Sequence, residues 1–177
     1  MSNVLLSISG RDRPGIVRDV AEALQHLNAN IEDSSMTALR GRFTMMLIVH
    51  LSEDISLGEL KAALAELEQR TRLTVQSQTI SDEEASTPPL EPDHVITVHG
   101  ADKVGIVFAV TNTLATLGVS IVDVSTQSRD SKHGQVYMMV LEVAAGNQGD
   151  TMKSALNDVA GKIGIDVDLH ALDDAVL

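Results

Sequence analysis

One stretch of this chain occurs twice, and that repetition limits the possible folds more than any other feature. Val4-Leu5-Leu6-Ser7-Ile8-Ser9-Gly10-Arg11-Asp12-Arg13-Pro14-Gly15-Ile16-Val17 returns 90 positions later as His94-Val95-Ile96-Thr97-Val98-His99-Gly100-Ala101-Asp102-Lys103-Val104-Gly105-Ile106-Val107. Gly10, Asp12, Gly15, Ile16 and Val17 recur unchanged, and a basic residue follows the aspartate in each copy. The register continues through Val20/Val110, Leu24/Leu114, Leu27/Leu117, Ile31/Ile121, Asp33/Asp123 and Ser35/Ser125. A unit of this length exceeds the roughly 20–50 residues of solenoid repeats and indicates a duplicated domain. Each half of the 177-residue chain is then a small domain with a modest core.

Both copies read in the same order of elements. In the first, alternating Val4, Leu6 and Ile8 predict a strand over about 3–9. Ile16, Val17, Val20, Ala23, Leu24 and Leu27 then fall at helical spacing. Asp12 is expected to cap that helix and Pro14 to occupy its first turn, where a missing N–H costs nothing. Residues 31–40 and 43–51 predict two strands around a turn at Gly41-Arg42, followed by a leucine-spaced helix and a strand over 73–80. The second copy predicts strands at 94–99, 120–129, 135–144 and 165–172, with helices at 104–117 and 150–163. Its hairpin carries three extra residues around Ser131-Lys132-His133.

The order β-α-β-β-α-β is that of a ferredoxin-like split βαβ unit. The predicted class is α+β, with two such domains, each an antiparallel four-stranded sheet with helices on one face. The domains are expected at 1–81 and 94–177. The segment 82–93 between them, rich in acidic residues, Ser, Thr and Pro, reads as an exposed linker.

Two strands depart from simple alternation. Phe43–Val49 and Val136–Leu141 are nearly continuous apolar runs, which predicts cover on both faces of the sheet, from the other repeat or from a second chain. Dimerisation is the expected outcome. In the second strands, Ile31, Asp33 and Ser35 are predicted to share one face, as are Ile121, Asp123 and Ser125. That polar row has two readings, the lining of a pocket or interface, and plain solvent exposure at an edge.

The turn between strand and helix suggests a chemistry. Free N–H groups at Gly15, Ile16 and Val17 and the helix dipole attract an anion. Asp12 adds an acceptor suited to an ammonium group. The combination fits an α-amino acid, while the same residues also serve as ordinary turn and cap. The six histidines are scattered, and His94 and His99, five apart on a strand, point to opposite faces and cannot chelate together. No cysteine is present, so no thiolate chemistry is available. No catalytic motif appears, and no enzymatic activity, metal or cofactor is expected. Met45-Met46 and Met138-Met139 read as core filler.

Charge narrows the partners further. Thirteen basic residues stand against 25 acidic ones, a net charge of −12, and no basic cluster offsets it. Such a field repels a phosphate backbone and an anionic membrane surface. No apolar run approaches the roughly 18 residues of a membrane span. The first strand begins at once, without a basic leader or cleavage site, which predicts a cytoplasmic protein.

Gly-x-Asp-Arg-Pro-Gly-Ile-Val between a strand and a helix, with Asn30-Ile31 opening the second strand, resembles the ACT-domain family of ferredoxin-like regulatory modules. The resemblance covers essentially the whole chain, and with no catalytic domain attached the pair is most similar to the glycine cleavage system transcriptional repressor group. It implies a module that binds a small ligand such as glycine or serine and modulates a transcription regulator or a metabolic enzyme. Carried over by position, the ligand loop falls on Gly10, Asp12, Arg13, Pro14, Gly15 and Ile16, with Asn30 and Ile31 opposite. In the second copy it falls on Gly100, Asp102, Lys103, Val104, Gly105 and Ile106, where Val104 stands in place of Pro14 and Ser120 in place of Asn30. The alternatives are a constitutive interaction module with a vestigial loop, a direct DNA-binding repressor, which the charge opposes, and a small enzyme that no residue set supports.

Overall fold

A computed structural model of the chain describes residues 2–131 and 134–172. The chain divides into two compact units at Pro88/Pro89. Unit one runs β1 (Ser2–Arg11), α1 (Ile16–His26), β2 (Asn30–Leu39), β3 (Arg42–Leu51), α2 (Leu57–Thr71), β4 (Thr74–Ile80) and a short helix α3 (Asp82–Ala85). Unit two runs β5 (His94–Ala101), α4 (Ile106–Thr116), β6 (Ser120–Ser131), β7 (Gly134–Ala144), α5 (Gly149–Ile163) and β8 (Ile165–Ala171).

Each unit holds one antiparallel sheet, ordered β2-β3-β1-β4 and β6-β7-β5-β8. This is the arrangement read from the sequence, with the second strand of each copy at an edge. In unit one, Val4, Leu6 and Ile8 of β1 and Met45, Leu47 and Val49 of β3 bury against Ile16, Val20 and Leu24 of α1 and Leu60, Leu64 and Leu67 of α2. Unit two repeats the pattern with Ile96, Val98, Met139 and Leu141 against Val110, Leu114, Met152 and Leu156. Only one methionine of the first pair is core, since Met45 is buried and Met46 is 51% exposed.

Helix α2 begins at a reciprocal capping box. The Ser56 hydroxyl accepts from the Glu59 N–H at 3.2 Å, and Glu59 accepts from the Ser56 N–H at 2.9 Å. Ser81 and Glu84 form the same box at α3, inside the segment expected to be plain linker. Asp82 of α3 accepts from Asn3 of β1 at 2.8 Å, and His50 lies 2.8 Å from the Asn3 carbonyl. The start of the connecting segment is therefore tied to unit one.

The apolar strands and the polar edge differ from expectation. β3 alternates buried and exposed residues, so the face away from the helices is not covered within its own unit. A bulge at Glu32 shifts the register, pairing Ile31 with Val49 but Asp33 with Ile48. An extra residue on one strand reverses which face the following side chains take. Ile31 therefore lies on the helix side, and Asp33 and Ser35 on the open side. The same bulge at Val122 separates Ile121 from Asp123 and Ser125. On the open face of unit one, Asp33 and Ser35 line a shallow depression with Leu5, Met46 and Ile48. The hairpin of unit two is extended to Ser131 and Gly134, while Lys132 and His133 of the predicted insertion lie outside the described residues.

Candidate functional site

The loop from β1 to α1 is fixed from both sides. Gly10 is the penultimate residue of β1 rather than part of a turn. A Cβ there would lie 2.5 Å from Leu73 Cδ2 and 3.5 Å from Leu73 Cα. Gly100 meets Ile165 in the same way, at 3.0 Å from its Cγ2. Close approach of the residue just before β4, and of the first residue of β8, accounts for the two recurring glycines. The Asp12 N–H donates to the Gly41 carbonyl at 2.9 Å, tying the loop to the β2–β3 turn.

The helix cap is Gly15, at φ 88°, with no side-chain cap. Asp12 does not cap α1, and Pro14 precedes the cap instead of occupying the first turn. Left-handed backbone at Gly15 turns the chain so abruptly that the Asp12 carboxylate is not delivered to the helix N–H groups. That carboxylate is exposed and makes no hydrogen bond or ion pair among the described residues. The N–H groups of Gly15, Ile16 and Val17, at the start of α1, have no intrahelical acceptor. Gly105 repeats the cap at φ 100°, again without a side-chain bond.

Around Gly15 the charges are ordered by Asp19, which is not among the residues expected from the sequence. Its carboxylate is 6% exposed as a residue and accepts from Arg13 Nη2 at 2.5 Å and from Arg18 Nη2 at 2.7 Å. The Arg13 hydrogen bond, followed by that from Arg18, holds the Asp19 carboxyl below the usual carboxylate range. Arg18 is held above its ordinary value by the same hydrogen bond and charge. The signal was available in the aligned copies, where Arg18-Asp19 faces Phe108-Ala109.

Unit two replaces this arrangement with hydroxyls. The Ser128 hydroxyl donates to Asp102 Oδ2 at 2.7 Å, and the Asp102 N–H donates to the Gln135 carbonyl at 3.2 Å. Burial and the nearby Asp102 charge push the Tyr137 hydroxyl up, against the opposing effect of a Thr126 hydrogen bond. Lys103 lies beside Gly164, where a Cβ would be 3.8 Å from its Nζ. Gly164 closes α5, and the carbonyls at a helix C-terminus favour a cation. Val104 is fully exposed, and Val107 and Phe108 are 44% and 72% exposed.

The comparisons with known proteins agree with this duplicated architecture. One ACT-domain family model matches residues 2–78, and a second matches residues 94–161. The chain belongs to the ACT-domain family. As a tandem ACT protein it is similar over its whole length to a solved protein of unknown function from Galdieria sulphuraria. Identity is 29%, with a TM-score of 0.78, covering 97% of this chain and 98% of the other. A second solved structure, provisionally named a glycine cleavage system transcriptional repressor, has a TM-score of 0.73 at 18% identity, covering 97% of both chains. That second likeness is one of fold. Among smaller relatives, a UPF0237 protein of Methanopyrus kandleri is 46% identical over 65 residues, 36% of this chain and 72% of its own length. Another, from Methanococcus maripaludis, is 37% identical over 83 residues, 45% of this chain and 92% of its own length.

Within the first ACT domain the predicted ligand residues do not all meet. Asp12, Arg13, Pro14, Gly15 and Ile16 form one loop, with Gly10 just before it. Asn30 and Ile31 lie at the far end of the sheet, lining a groove with Asn28 and Gln25 at the C-terminal end of α1. Gly10 shares a rung with Phe43, whereas Asn30 shares one with His50 and Asn3. Seven residues of β1 separate these rungs, a distance of about 23 Å at ~3.3 Å per residue. Their separation follows from topology, since β2 starts where α1 ends. In the second domain Gly100, Asp102, Lys103, Val104, Gly105 and Ile106 likewise form one continuous loop.

Proposed function

We propose that the chain is a non-catalytic sensor that binds a small amino acid such as glycine or serine at the β1–α1 loop of its first ACT domain. The observation that carries this reading is the uncapped helix start at Gly15 with the unengaged Asp12 carboxylate on the same short loop. The helix end takes the ligand carboxylate, and Asp12 takes its ammonium group. The regulated partner is a transcription regulator or an enzyme of amino-acid metabolism. A net charge of −12 argues that control is exerted through protein contact, without direct binding to DNA.

In this reading the protein works as a homodimer in the cytoplasm. Asn30 and Ile31 lie too far from the loop to touch the same ligand within one domain. Any contribution from them comes from a second copy. The half-exposed Met46 and the wholly exposed β2 edge offer surfaces for such pairing. The competing reading, a constitutive interaction module, is favoured by Val104, Val107 and Phe108, which give the second loop an apolar surface. Titration calorimetry against the twenty amino acids separates the two. Saturable binding of one or a few small amino acids supports the sensor, and binding of none leaves the interaction module.

A further inference from the structure

Six arginines that lie scattered between positions 11 and 72 meet at one end of the first sheet. Arg13 and Arg18 are engaged by Asp19. Arg11, Arg40, Arg42 and Arg72 are exposed, and none of their guanidinium groups makes a hydrogen bond or ion pair among the described residues. Arg11 and Arg42 stand directly opposite each other on β1 and β3, on the face away from the helices. Arg40 lies in the turn before β3, and the Arg72 carbonyl is 3.7 Å from the place of a Cβ on Gly10. Asp12 stands among these cations unengaged, and Glu68 in the last turn of α2 gives its carboxylate to the Val75 N–H at 2.6 Å. Glu22 and Arg70, further along the helices, pair with each other. The surplus at this end is positive, in a chain whose net charge is −12.

Gathering these cations works against the fold. Like charges directly opposite each other on a sheet repel. Arg40 and Arg72 hold left-handed backbone, at φ 47° and 58°, a conformation that favours glycine. They are two of three such non-glycine residues among those described. The second domain manages without these charges. There Ala101 pairs with Val136 where Arg11 pairs with Arg42, and Gly164 closes α5 where Arg72 closes α2. Beside the arginines, the next rung on the same face is a row of exposed hydroxyls, Thr37, Thr44, Ser9 and Thr74. The matching rung of the second domain holds Gln127, Met138, His99 and Asp166.

We propose that this end of the first sheet is a docking surface for an acidic, extended segment of a partner protein, whose carboxylates meet Arg11, Arg40, Arg42 and Arg72 and the adjacent hydroxyls. The surface gives the chemistry of the regulated partner and does not depend on the amino-acid site. All four free cations are arginines, whose planar fork binds a carboxylate bidentately, and arginine is the cation enriched at protein interfaces. Neighbouring strands lie about 4.8 Å apart, so the row across β3, β1 and the residues before β4 spans roughly 10 Å. That width suits successive carboxylates on one side of an extended chain, about 7 Å apart, better than one small anion. Leu39, opposite Arg42 and 67% exposed, adds an apolar contact at the same place. The field of a −12 molecule repels a long polyanion along its whole length, whereas a short acidic segment meets chiefly the local arginines.

The probe is fluorescein-labelled oligoglutamate, titrated with the full chain and followed by anisotropy, with an oligothymidylate of equal charge beside it. Oligoglutamate is expected to bind, and to bind less tightly as salt rises. Arg11→Gln and Arg42→Gln should each lower its affinity about two- to fivefold, the size of one exposed ion pair, and the double variant about tenfold. Lys61→Gln, at an exposed cation on α2, should leave it unchanged. Arg72→Gly separates binding from folding, since it should weaken binding by the same factor while raising the urea midpoint of the first domain. No binding at low salt, an equal loss in Lys61→Gln, or tighter binding of oligothymidylate overturns the proposal. Salt-sensitive self-association of the chain alone, abolished by Arg42→Gln, also overturns it and makes a second copy the occupant. Each of these results leaves the amino-acid site standing, and a chain that binds oligoglutamate as expected but no amino acid upholds this surface and removes the sensor.

Discussion

The two loop aspartates recur at equivalent positions, yet the structure gives them different work, and alanine substitution should expose the difference. From the sequence, Asp12 and Asp102 are each expected to cap a helix, at a cost on removal of about 1 kcal/mol. In the structure neither helix has a side-chain cap. Asp12 makes no side-chain bond, so Asp12→Ala should change stability by less than about 0.5 kcal/mol, as for an ordinary surface substitution. Asp102 accepts the Ser128 hydroxyl at 2.7 Å in an exposed setting. Hydrogen bonds to charged groups are worth about 1.5–3 kcal/mol when protected, and exposure reduces this one to roughly 0.5–1.5 kcal/mol. For a domain of this size that is a fall in Tm of roughly 2–12 °C. The assay is built into the chain. Tyr137 is the one tyrosine and there is no tryptophan, so tyrosine fluorescence follows unfolding of the second domain while circular dichroism follows both. A cycle with Ser128→Ala isolates the pair, and the double variant should be little worse than Asp102→Ala alone. Additive losses, or a loss above about 1 kcal/mol for Asp12→Ala, would refute the reasoning.

Three further outcomes follow from local geometry. Gly15→Ala places a side chain at φ 88° and should destabilise the first domain by about 1–2 kcal/mol, read by urea titration. Arg72, at φ 58°, closes α2 where Gly164 closes α5, so Arg72→Gly should stabilise the first domain by about 0.5–1 kcal/mol in the same titration. The Asp19 and Glu59 carboxyls are held below their ordinary values, by the Arg13 hydrogen bond and by the Ser56 N–H respectively. A depressed folded-state value gives stability that is present above the unfolded value near ~4 and lost as pH falls through the folded one. Acid unfolding of the first domain should therefore begin below about pH 4, and Asp19→Asn should flatten it.

The repeat made the fold readable because each copy confirmed the other's element order, and the heptad-like leucines and alternating valines left little freedom. The bulges at Glu32 and Val122 were not readable, since nothing in an Ile-Glu-Asp or Ile-Val-Asp run marks an unpaired residue. Unbroken alternation places Asp33 and Ser35 on the same face as Ile31, whereas the bulge puts them on the opposite one. The loop residues are contiguous in the structure, but Asp12 does not cap α1 and Gly10 belongs to β1. Gly10 is small because Leu73 crowds it, and Asp12 is free because the left-handed Gly15 turns the helix away from it. Asn30 could be placed at the loop only by ignoring that β2 begins at the opposite end of the sheet. The Asp19 ion pairs are marked only by a difference between the copies, Arg18-Asp19 against Phe108-Ala109, and not by anything that recurs.

The proposed sensor role depends on what the α1 start does with an amino acid. Titrating glycine or serine into the ¹⁵N-labelled full chain, followed by amide spectra, tests it most directly. A sensor should show saturable shifts of the Gly15, Ile16 and Val17 amides that share one dissociation constant and are weakened in Asp12→Ala. The absence of saturable shifts there up to about 10 mM ligand, where even a Kd near ~1 mM would be evident, would contradict it.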